Sequence, residues 1–296
     1  MSGQTVICAG RIYCDLVFSG LDGPPEPGRE VFAEALALRA GGGAYITAAY
    51  LSALGGQAGL MGVLPAPPFG HCVTREMAQN RVRSHCSAAG AGDPQITVAL
   101  ARGGDRSFIT RRVGAALAGA DLPPARHLHI GELTTALEHP ELIAKARARA
   151  MSVSLDCSWD ARALADPGTA EVIASVDIFL PNAAEMEALA ASGIAVAPRL
   201  MSVIKRGAEG ATLIGAEGAR IEAAAIRTTP VDTTGAGDAF NAGFLAAWLD
   251  GAEMAEALAQ ANRCGSIAVG RIGGAGALPD LRLPETGISG QARRQV

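Results

Sequence analysis

The sequence predicts an α/β fold, a central and mostly parallel sheet flanked by helices with a small β-sheet lid, and three observations carry that reading. From Arg126 onward, apolar strand-like runs alternate with helical ones, which is the pattern left by crossover connections between parallel strands. Before Arg126, several strand-like runs lack helices of their own; they are expected to form a separate small sheet covering the strand ends, where open α/β sheets bind ligands. A glycine-rich turn at 235–237 opens an apolar helix, and a helix start of this kind presents free backbone amides.

Taken in order, strands are predicted at 5–9 and 12–18, followed by a Pro/Gly-rich connection over 20–28. Alternation over 31–38 sets Val31, Ala33, Ala35 and Ala37 on one face of a strand and Phe32, Glu34, Leu36 and Leu38 on the other. The uncharged stretch 40–70 exceeds the ~20 residues of a membrane helix. Glycines at 41–43 and 55–56 and prolines at 65, 67 and 68 interrupt it, so it reads as a helix over 44–54 and a buried strand over 58–63. Runs at 95–101 and 106–110 about the turn 102–105 read as a hairpin. Beyond it the pattern gives strands at 127–130, 152–156, 177–180 and 202–205, and helices at 138–150, 183–190, from Ala236, and at 254–269. The tail 287–296 is polar and expected to fray. Residues 1–296 read as one domain, with lid strands at about 11–39 and 95–112.

Composition removes several function classes. Hydrophobic residues make up 49% of the chain, which excludes intrinsic disorder. Twenty-five basic against twenty-nine acidic residues leave a net charge of -4, so no electrostatic footprint for nucleic acid exists. The only lysines, Lys145 and Lys205, follow Ala144 and Ile204, so there is no Walker A loop. No Gly-x-Gly triplet completes a dinucleotide fingerprint either. Six cysteines without a Cys-x-x-Cys pair, and no basic-then-apolar leader, fit a reduced cytoplasmic protein. The repeated dipeptides His71-Cys72 and His85-Cys86 lack zinc-ligand spacing, and neighbouring residues on a helix point apart.

The chemistry concentrates in Val231-Asp232-Thr233-Thr234-Gly235-Ala236-Gly237-Asp238-Ala239-Phe240. Phe240, Gly243, Phe244 and Ala247 recur at three and four, so the helix starts near Ala236 and aims its first-turn amides above Gly235. Small residues at Gly235, Ala236 and Gly237 let an anion approach, and Asp238 lies in the same positive field. A carboxylate beside a bound phosphoryl group is placed to take the proton of an attacking hydroxyl. An ordinary capped helix has the same residue types, and spacing alone leaves the two readings open.

This segment resembles the C-terminal signature of the PfkB, or ribokinase-like, family of carbohydrate and nucleoside kinases, matching Asp-Thr-x-Gly-Ala-Gly-Asp without a gap. The resemblance extends over nearly the whole chain. Gly10 to Asp15 resembles the family's first strand, and Gly41-Gly42 with Leu54-Gly55 its glycine-opened helix, which implies substrate contacts at Asp15, Tyr13, Gly41 and Gly42. Gly104 to Phe108 looks like the lid hairpin. Glu132 occupies the position of a substrate-facing acid, with a solvated strand-end glutamate as the alternative. Asn182-Ala183-Ala184-Glu185 matches the Asn-x-x-Glu motif. It implies that Glu185 organises the Mg2+ of ATP through water while Asn182 reaches the phosphates, a plain capping box being the rival. Lys205, Gly207 and Gly210 resemble the nucleotide-edge turn, with Lys205 where threonine is usual, and Asn262 stands at the adenine-lining position. By the same resemblance Asp232, Thr234, Ala268, Arg271, Gly273 and Ala277 are implied ligands of a monovalent cation, K+, bound by some members.

The sequence departs from the family at the acceptor end. Tyr13 and Ile46 replace two asparagines that many sugar-kinase members carry. Tyr13 and Tyr45 either stack on a ring or fill the core, and Arg106, Arg111 and Arg112 either receive an acidic substituent or are exposed lid residues. The expected activity is ATP-dependent phosphorylation of a hydroxyl on a small sugar or sugar derivative, by a homodimer joined through its lids. A nucleoside kinase, and a catalytically silent sugar sensor on the same fold, are the alternatives.

Overall fold

The computed structural model describes residues 5–88, 94–102, 105–119 and 121–282. The apolar run β1 (Thr5–Ala9) lies inside the larger sheet because it pairs in parallel with β4 (Gln57–Met61) on one side and β8 (His127–Ile130) on the other. Beyond β8 come β9 (Ser152–Asp156), β10 (Ile178–Leu180) and β11 (Met201–Lys205), all parallel. Two antiparallel strands, β12 (Ala211–Gly215) and β13 (Arg220–Ala223), finish that edge, and β5 (Arg83–Ser84) finishes the other. The central strands are buried on both faces, and the alternating polar residues of β8 and β9, His127, His129, Ser152 and Ser154, bond one another.

Helices cover both faces. α1 (Gly43–Ala53), α7 (Ala236–Leu249) and α8 (Met254–Val269) pack with Val6, Cys8, Leu180 and Val203. On the opposite face α3 (Leu133–Glu138), α4 (Glu141–Ala148), α5 (Thr169–Ser175) and α6 (Ala183–Ala191) pack with Ile7, Ile130, Leu155 and Phe179. Every side chain that points up from a strand's C-terminal end therefore emerges between two helix layers, at the edge where open α/β sheets hold ligands.

The second sheet has the order β3-β2-β6-β7, with β2 (Tyr13–Ser19), β3 (Ala35–Gly41), β6 (Ile96–Arg102) and β7 (Asp105–Arg111). Asp15 stands opposite Arg39 on one side and Thr97 on the other, and Tyr13 opposite Gly41. The two-residue period turns Tyr13, Val17, Thr97 and Ala99 inward, where they are buried. It leaves Leu36, Leu38 and Ile109 outward, 51%, 39% and 65% exposed. α2 (Phe69–Gln79), which the spacing does not announce, braces this lid: Glu76 accepts the Ala40 amide and pairs with Arg39.

Two predicted elements are redrawn. The helix expected over 138–150 is the shorter α4, because the preceding α3 closes at His139 and Pro140, which lacks an amide hydrogen, caps α4. The strand expected over 31–38 begins only at Ala35 and runs to Gly41, since the Phe32 backbone is taken up by a reciprocal pair of bonds with Asp22. The tail 287–296 and Gly103-Gly104 of the lid hairpin lie outside the described residues. Among the described residues no helix is long and apolar enough to cross a membrane, and none of the His, Cys, Asp and Glu groups forms a metal-holding cluster. The six cysteines are free thiols, five of them buried.

Candidate active site

The C-terminal ends of β9 and β11 meet the first turn of α7. Gly235 caps that helix in the left-handed region, φ 74°, and a Cβ there would stand 2.8 Å from the Gly274 Cα. Only glycine fits this crossing, and the first-turn amides, which have no intrahelical acceptor, open onto it. Ile46, the residue standing for a missing asparagine, packs against the same crossing, within 3.1 Å of the Gly235 Cβ position and 2.5 Å of that of Gly274.

Asp238, in the first turn of α7, faces the start of α1: a Cβ on Gly43 would lie 2.7 Å from its Oδ1. Its carbonyl accepts from Thr47 Oγ1 at 3.3 Å, and its carboxyl hydrogen-bonds to that of Asp156. Burial first, then the Asp156 charge, push Asp238 up to about 7, against the pull of Lys205. Lys205 Nζ donates to Asp156 Oδ1 at 2.7 Å and to Asn241 Oδ1 at 3.2 Å, and it reaches 3.5 Å from the Gly237 Cβ position. Burial works against the ammonium, yet Asp156, Glu185 and Asp238 outweigh it and raise its pKa. The result is one cluster of three carboxylates about a single cation, Asp156 and Glu185 buried and Asp238 and Lys205 half-buried.

Glu185 completes the cluster from α6. Asn182 caps that helix, its Oδ1 accepting the Glu185 amide at 2.8 Å while Glu185 Oε2 accepts the Asn182 amide at 2.8 Å. The capping box is thus present in full. It leaves the second Glu185 oxygen uncommitted to the cap, and burial followed by the Asp156 charge lifts this carboxyl to about 6.

The lid side is held by backbone proximity and arginine. Both Asp15 carboxylate oxygens would stand 2.2 Å from a Cβ on Gly41, so that strand position admits only glycine beside the carboxylate. Glu132 is half-buried rather than a solvated strand end: it accepts from Thr135 Oγ1 at 2.7 Å and from the Arg11 amide at 3.3 Å, and burial raises its pKa. Burial, then Glu132, push the Tyr13 phenol up to about 12, and its hydroxyl hydrogen-bonds with Arg112, which pairs with Asp160 at 2.8 Å. Tyr45 takes the core alternative, fully buried with its hydroxyl receiving Asn80 Nδ2 at 2.9 Å.

The remaining implied residues are spread along the rim. Gly207 and Gly210 bound a tight turn in which the Arg206 amide donates to the Gly210 carbonyl at 2.8 Å. Asn262 Nδ2 donates to the carbonyls of Ala223 and Ala224 at 3.2 and 3.0 Å. Asp232 accepts the Thr234 amide at 2.7 Å and the Gly273 amide, stapling the 271–277 loop to the turn before α7. The carbonyls of Ala268 and Ala277 both receive Arg271, the first from its amide and the second from its guanidinium. A surface cavity of about 290 Å³ lined by Ser52, Arg81, Arg83 and Arg282 sits at the far end of α1 from Asp238, away from this chemistry.

Sequence reasoning misses Asp156, Asn241 and Thr47. Asp156 had a legible signal, an acid at the C-terminal end of an apolar strand, whereas Asn241 and Thr47 look like ordinary helix residues until the helices are packed.

The pfkB family carbohydrate kinase description fits residues 6–281. An ATP-dependent ribose-1-phosphate kinase from Halopiger xanaduensis is 27% identical over 277 residues, 90% of this chain and 93% of its own length. Among solved structures, adenosine kinase from Sinorhizobium meliloti superposes with a TM-score of 0.80 at 20% identity, covering 94% of this chain and 97% of that one. A putative ribokinase II from E. coli in complex with ATP and Mg2+ gives 0.78 at 21% identity, covering 93% and 96%. With the glycine turn before α7, Asp238 and the lid all in one frame, the chain belongs to the pfkB family of carbohydrate kinases and is an ATP-dependent kinase acting on a sugar or nucleoside hydroxyl.

Proposed function

We propose that this kinase phosphorylates a sugar derivative in which one position lacks the free hydroxyl of plain ribose, with Asp238 as the catalytic base. The observation that carries the reading is the half-buried Asp238 carboxylate between the α7 amides and the Gly43 backbone, facing the side of the lid that holds Asp15. The acceptor hydroxyl gives its proton to Asp238 as its oxygen bonds the γ-phosphorus, the bond to the bridging oxygen breaks, and ADP leaves. The Gly235, Ala236 and Gly237 amides stabilise the charge on the moving phosphoryl oxygens. Asp15, Tyr13, Gly41, Gly42 and Glu132 hold the acceptor. Asn182, Gly207, Gly210 and Asn262 line the nucleotide, with Lys205 at its γ-phosphoryl end.

The residues fit a magnesium nucleotide. Small residues clear the cradle, and the uncommitted Glu185 oxygen suits a hard cation that keeps most of its waters and takes few protein ligands. When bound, Mg2+ neutralises charge on the β- and γ-phosphoryl oxygens. The staple between Asp232 and Gly273 draws together the two segments proposed to hold K+. The outward apolar face of the lid, Leu36, Leu38 and Ile109, supports lid-to-lid association of two chains.

The acceptor reading rests on Ile46, which offers no hydrogen bond where an amide would satisfy a hydroxyl; such a loss costs about 1 to 3 kcal/mol. A coupled ADP-release assay with ribose, fructose, adenosine and a deoxy or substituted sugar tests it. The substituted acceptor is expected to give the highest kcat/KM, and ribose ahead by about tenfold overturns the reading.

A further inference from the structure

Lys205, a half-buried cation at the end of β11, reaches the first turn of α7, and it is held there by residues that no sequence motif singles out. An ammonium has three N–H donors and no acceptor. Two of those of Lys205 go to Asp156 Oδ1 at 2.7 Å and Asn241 Oδ1 at 3.2 Å. Among the described residues no third acceptor is seen, and the ammonium sits 3.5 Å from the Gly237 Cβ position, under the turn whose amides open upward. Asp156 and Lys205 side chains are 8% and 12% exposed, so neither partner is wasted on solvent. Their strands are separated in the sheet by β10, and Asn241 comes from a third element, α7; three parts of the fold converge to fix one nitrogen.

We infer that Asp156 and Asn241 are positioning residues that aim the remaining Lys205 N–H at the γ-phosphoryl group in flight, and that Lys205 serves transfer rather than the resting nucleotide. The inference rests on the kinase reading above and adds the division of labour within it. During transfer the γ-phosphorus gains the acceptor oxygen and loses the bridging oxygen to ADP, while the proton goes to Asp238. Charge on the equatorial phosphoryl oxygens meets a cation whose other two N–H bonds are already committed. Such a donor needs no reorganisation when the charge moves, which makes it worth more in the transition state than in the ground state. Asp156 has a second contact, the hydrogen bond to Asp238, so the test must separate action through Lys205 from action on the base.

Three variants do so: Lys205→Met, Asp156→Asn, and the two combined, which removes the buried charge pair together and avoids leaving one partner alone. Affinities for Mg2+-ADP alone, and for Mg2+-ADP with fluoroaluminate as a mimic of the moving phosphoryl group, are read by calorimetry, alongside kcat and the KM for ATP. Lys205→Met is expected to lower kcat and the fluoroaluminate-complex affinity by about 10²- to 10³-fold while Mg2+-ADP binding stays within about threefold. Asp156→Asn is expected to lower both by about tenfold or more, and the double variant to match Lys205→Met, because a residue acting through Lys205 adds nothing once Lys205 is gone. Asn241→Leu, which leaves the charges in place, is expected to cut the fluoroaluminate affinity with Mg2+-ADP affinity unchanged. Equal losses for Mg2+-ADP and the fluoroaluminate complex in Lys205→Met overturn the transfer role. Additive losses in the double variant overturn the positioning role of Asp156. A parent protein that binds no Mg2+-ADP defeats the kinase reading itself, an outcome distinct from both.

Discussion

At the phosphoryl end, charged side chains are held by one another: Lys205 bonds Asp156 at 2.7 Å, Asp156 bonds Asp238, and Asn182 and Glu185 cap each other at 2.8 Å. The lid end pairs its polar inner face with an outer face of exposed Leu36, Leu38 and Ile109, and its inner arginines are tied to carboxylates, Arg39 to Glu76 and Arg112 to Asp160. One end is a buried network whose geometry is fixed before any ligand arrives; the other is a thin sheet resting on α2 and the loops. Phosphoryl chemistry is the same for every acceptor and gains from preorganisation, whereas the contacts proposed to choose the acceptor lie on the thinner wall.

The largest effect is expected at the fixed end. Asp238→Asn should lower kcat by about 10²- to 10⁴-fold with Mg2+-ADP affinity retained, and a coupled assay within about threefold of the parent would remove Asp238 as the base. Because burial and the Asp156 charge raise this carboxyl to about 7, its deprotonated, proton-accepting form appears only as pH rises through that value. A profile of log kcat/KM against pH should therefore fall on the acid side of about 7, and one that stays flat down to pH 5 would show that no raised carboxyl is needed.

The contrast sharpens at Ile46, which packs against the Gly235 and Gly274 crossing and is proposed to shape acceptor choice. Ile46→Asn should raise kcat/KM for ribose relative to the substituted acceptor by about tenfold or more, since an amide regains one hydroxyl. It should also lower the melting temperature, because the side chain is 3% exposed against the Gly235 and Gly274 backbone. An unchanged acceptor ratio would separate Ile46 from acceptor choice.

A further test concerns the strip beneath α7, where His127 bonds Ser152 and Ser154 at 2.8 and 2.7 Å and His129 bonds Ser154 at 2.9 Å. Burial pushes both imidazoles down to about 3. Below the ordinary histidine value of about 6.5 the unfolded chain binds protons that the folded chain refuses. The stability these groups contribute is thus complete above pH 6.5 and is lost as pH falls toward the folded value, by about 1.4 kcal/mol per pH unit per histidine. Urea unfolding between pH 6 and 5 should show a shallower slope for His127→Gln than for the parent by about that amount; equal slopes would mean the strip admits protons.

At the lid the expected change is in mass alone. Light scattering should give about twice the 30.0 kDa of one chain at micromolar concentration, and Leu36→Lys with Ile109→Lys should return it to one chain without altering Mg2+-ADP affinity. A parent of single mass would leave the exposed face without the partner proposed for it.

Much of this architecture is written locally. The glycines at 235 and 237 and the three-and-four spacing after them define α7, because helix periodicity and turn chemistry depend only on neighbours along the chain. The same holds for the parallel strands after Arg126 and for the Asn182 to Glu185 cap. What neighbours cannot specify is which side chains meet across long separations. Asp156 and Lys205 are 49 positions apart and join only because their strands lie one strand apart in the same sheet, with both ends at the same edge. Glu132 reads equally as a solvated strand end until Arg11, 121 positions away, arrives at its carboxylate. Tyr45 is a candidate ring-stacker until Asn80 and the Ala275 carbonyl close around its hydroxyl. The sequence by itself determined the elements, the glycine turn that opens α7 and the place of Asp238 in its first turn, since those follow from residue type and short-range spacing. Only the tertiary structure decided which charges surround that carboxyl and which side chains hold Lys205, since burial and charge proximity are properties of packed elements and act through distances that the order of residues does not contain.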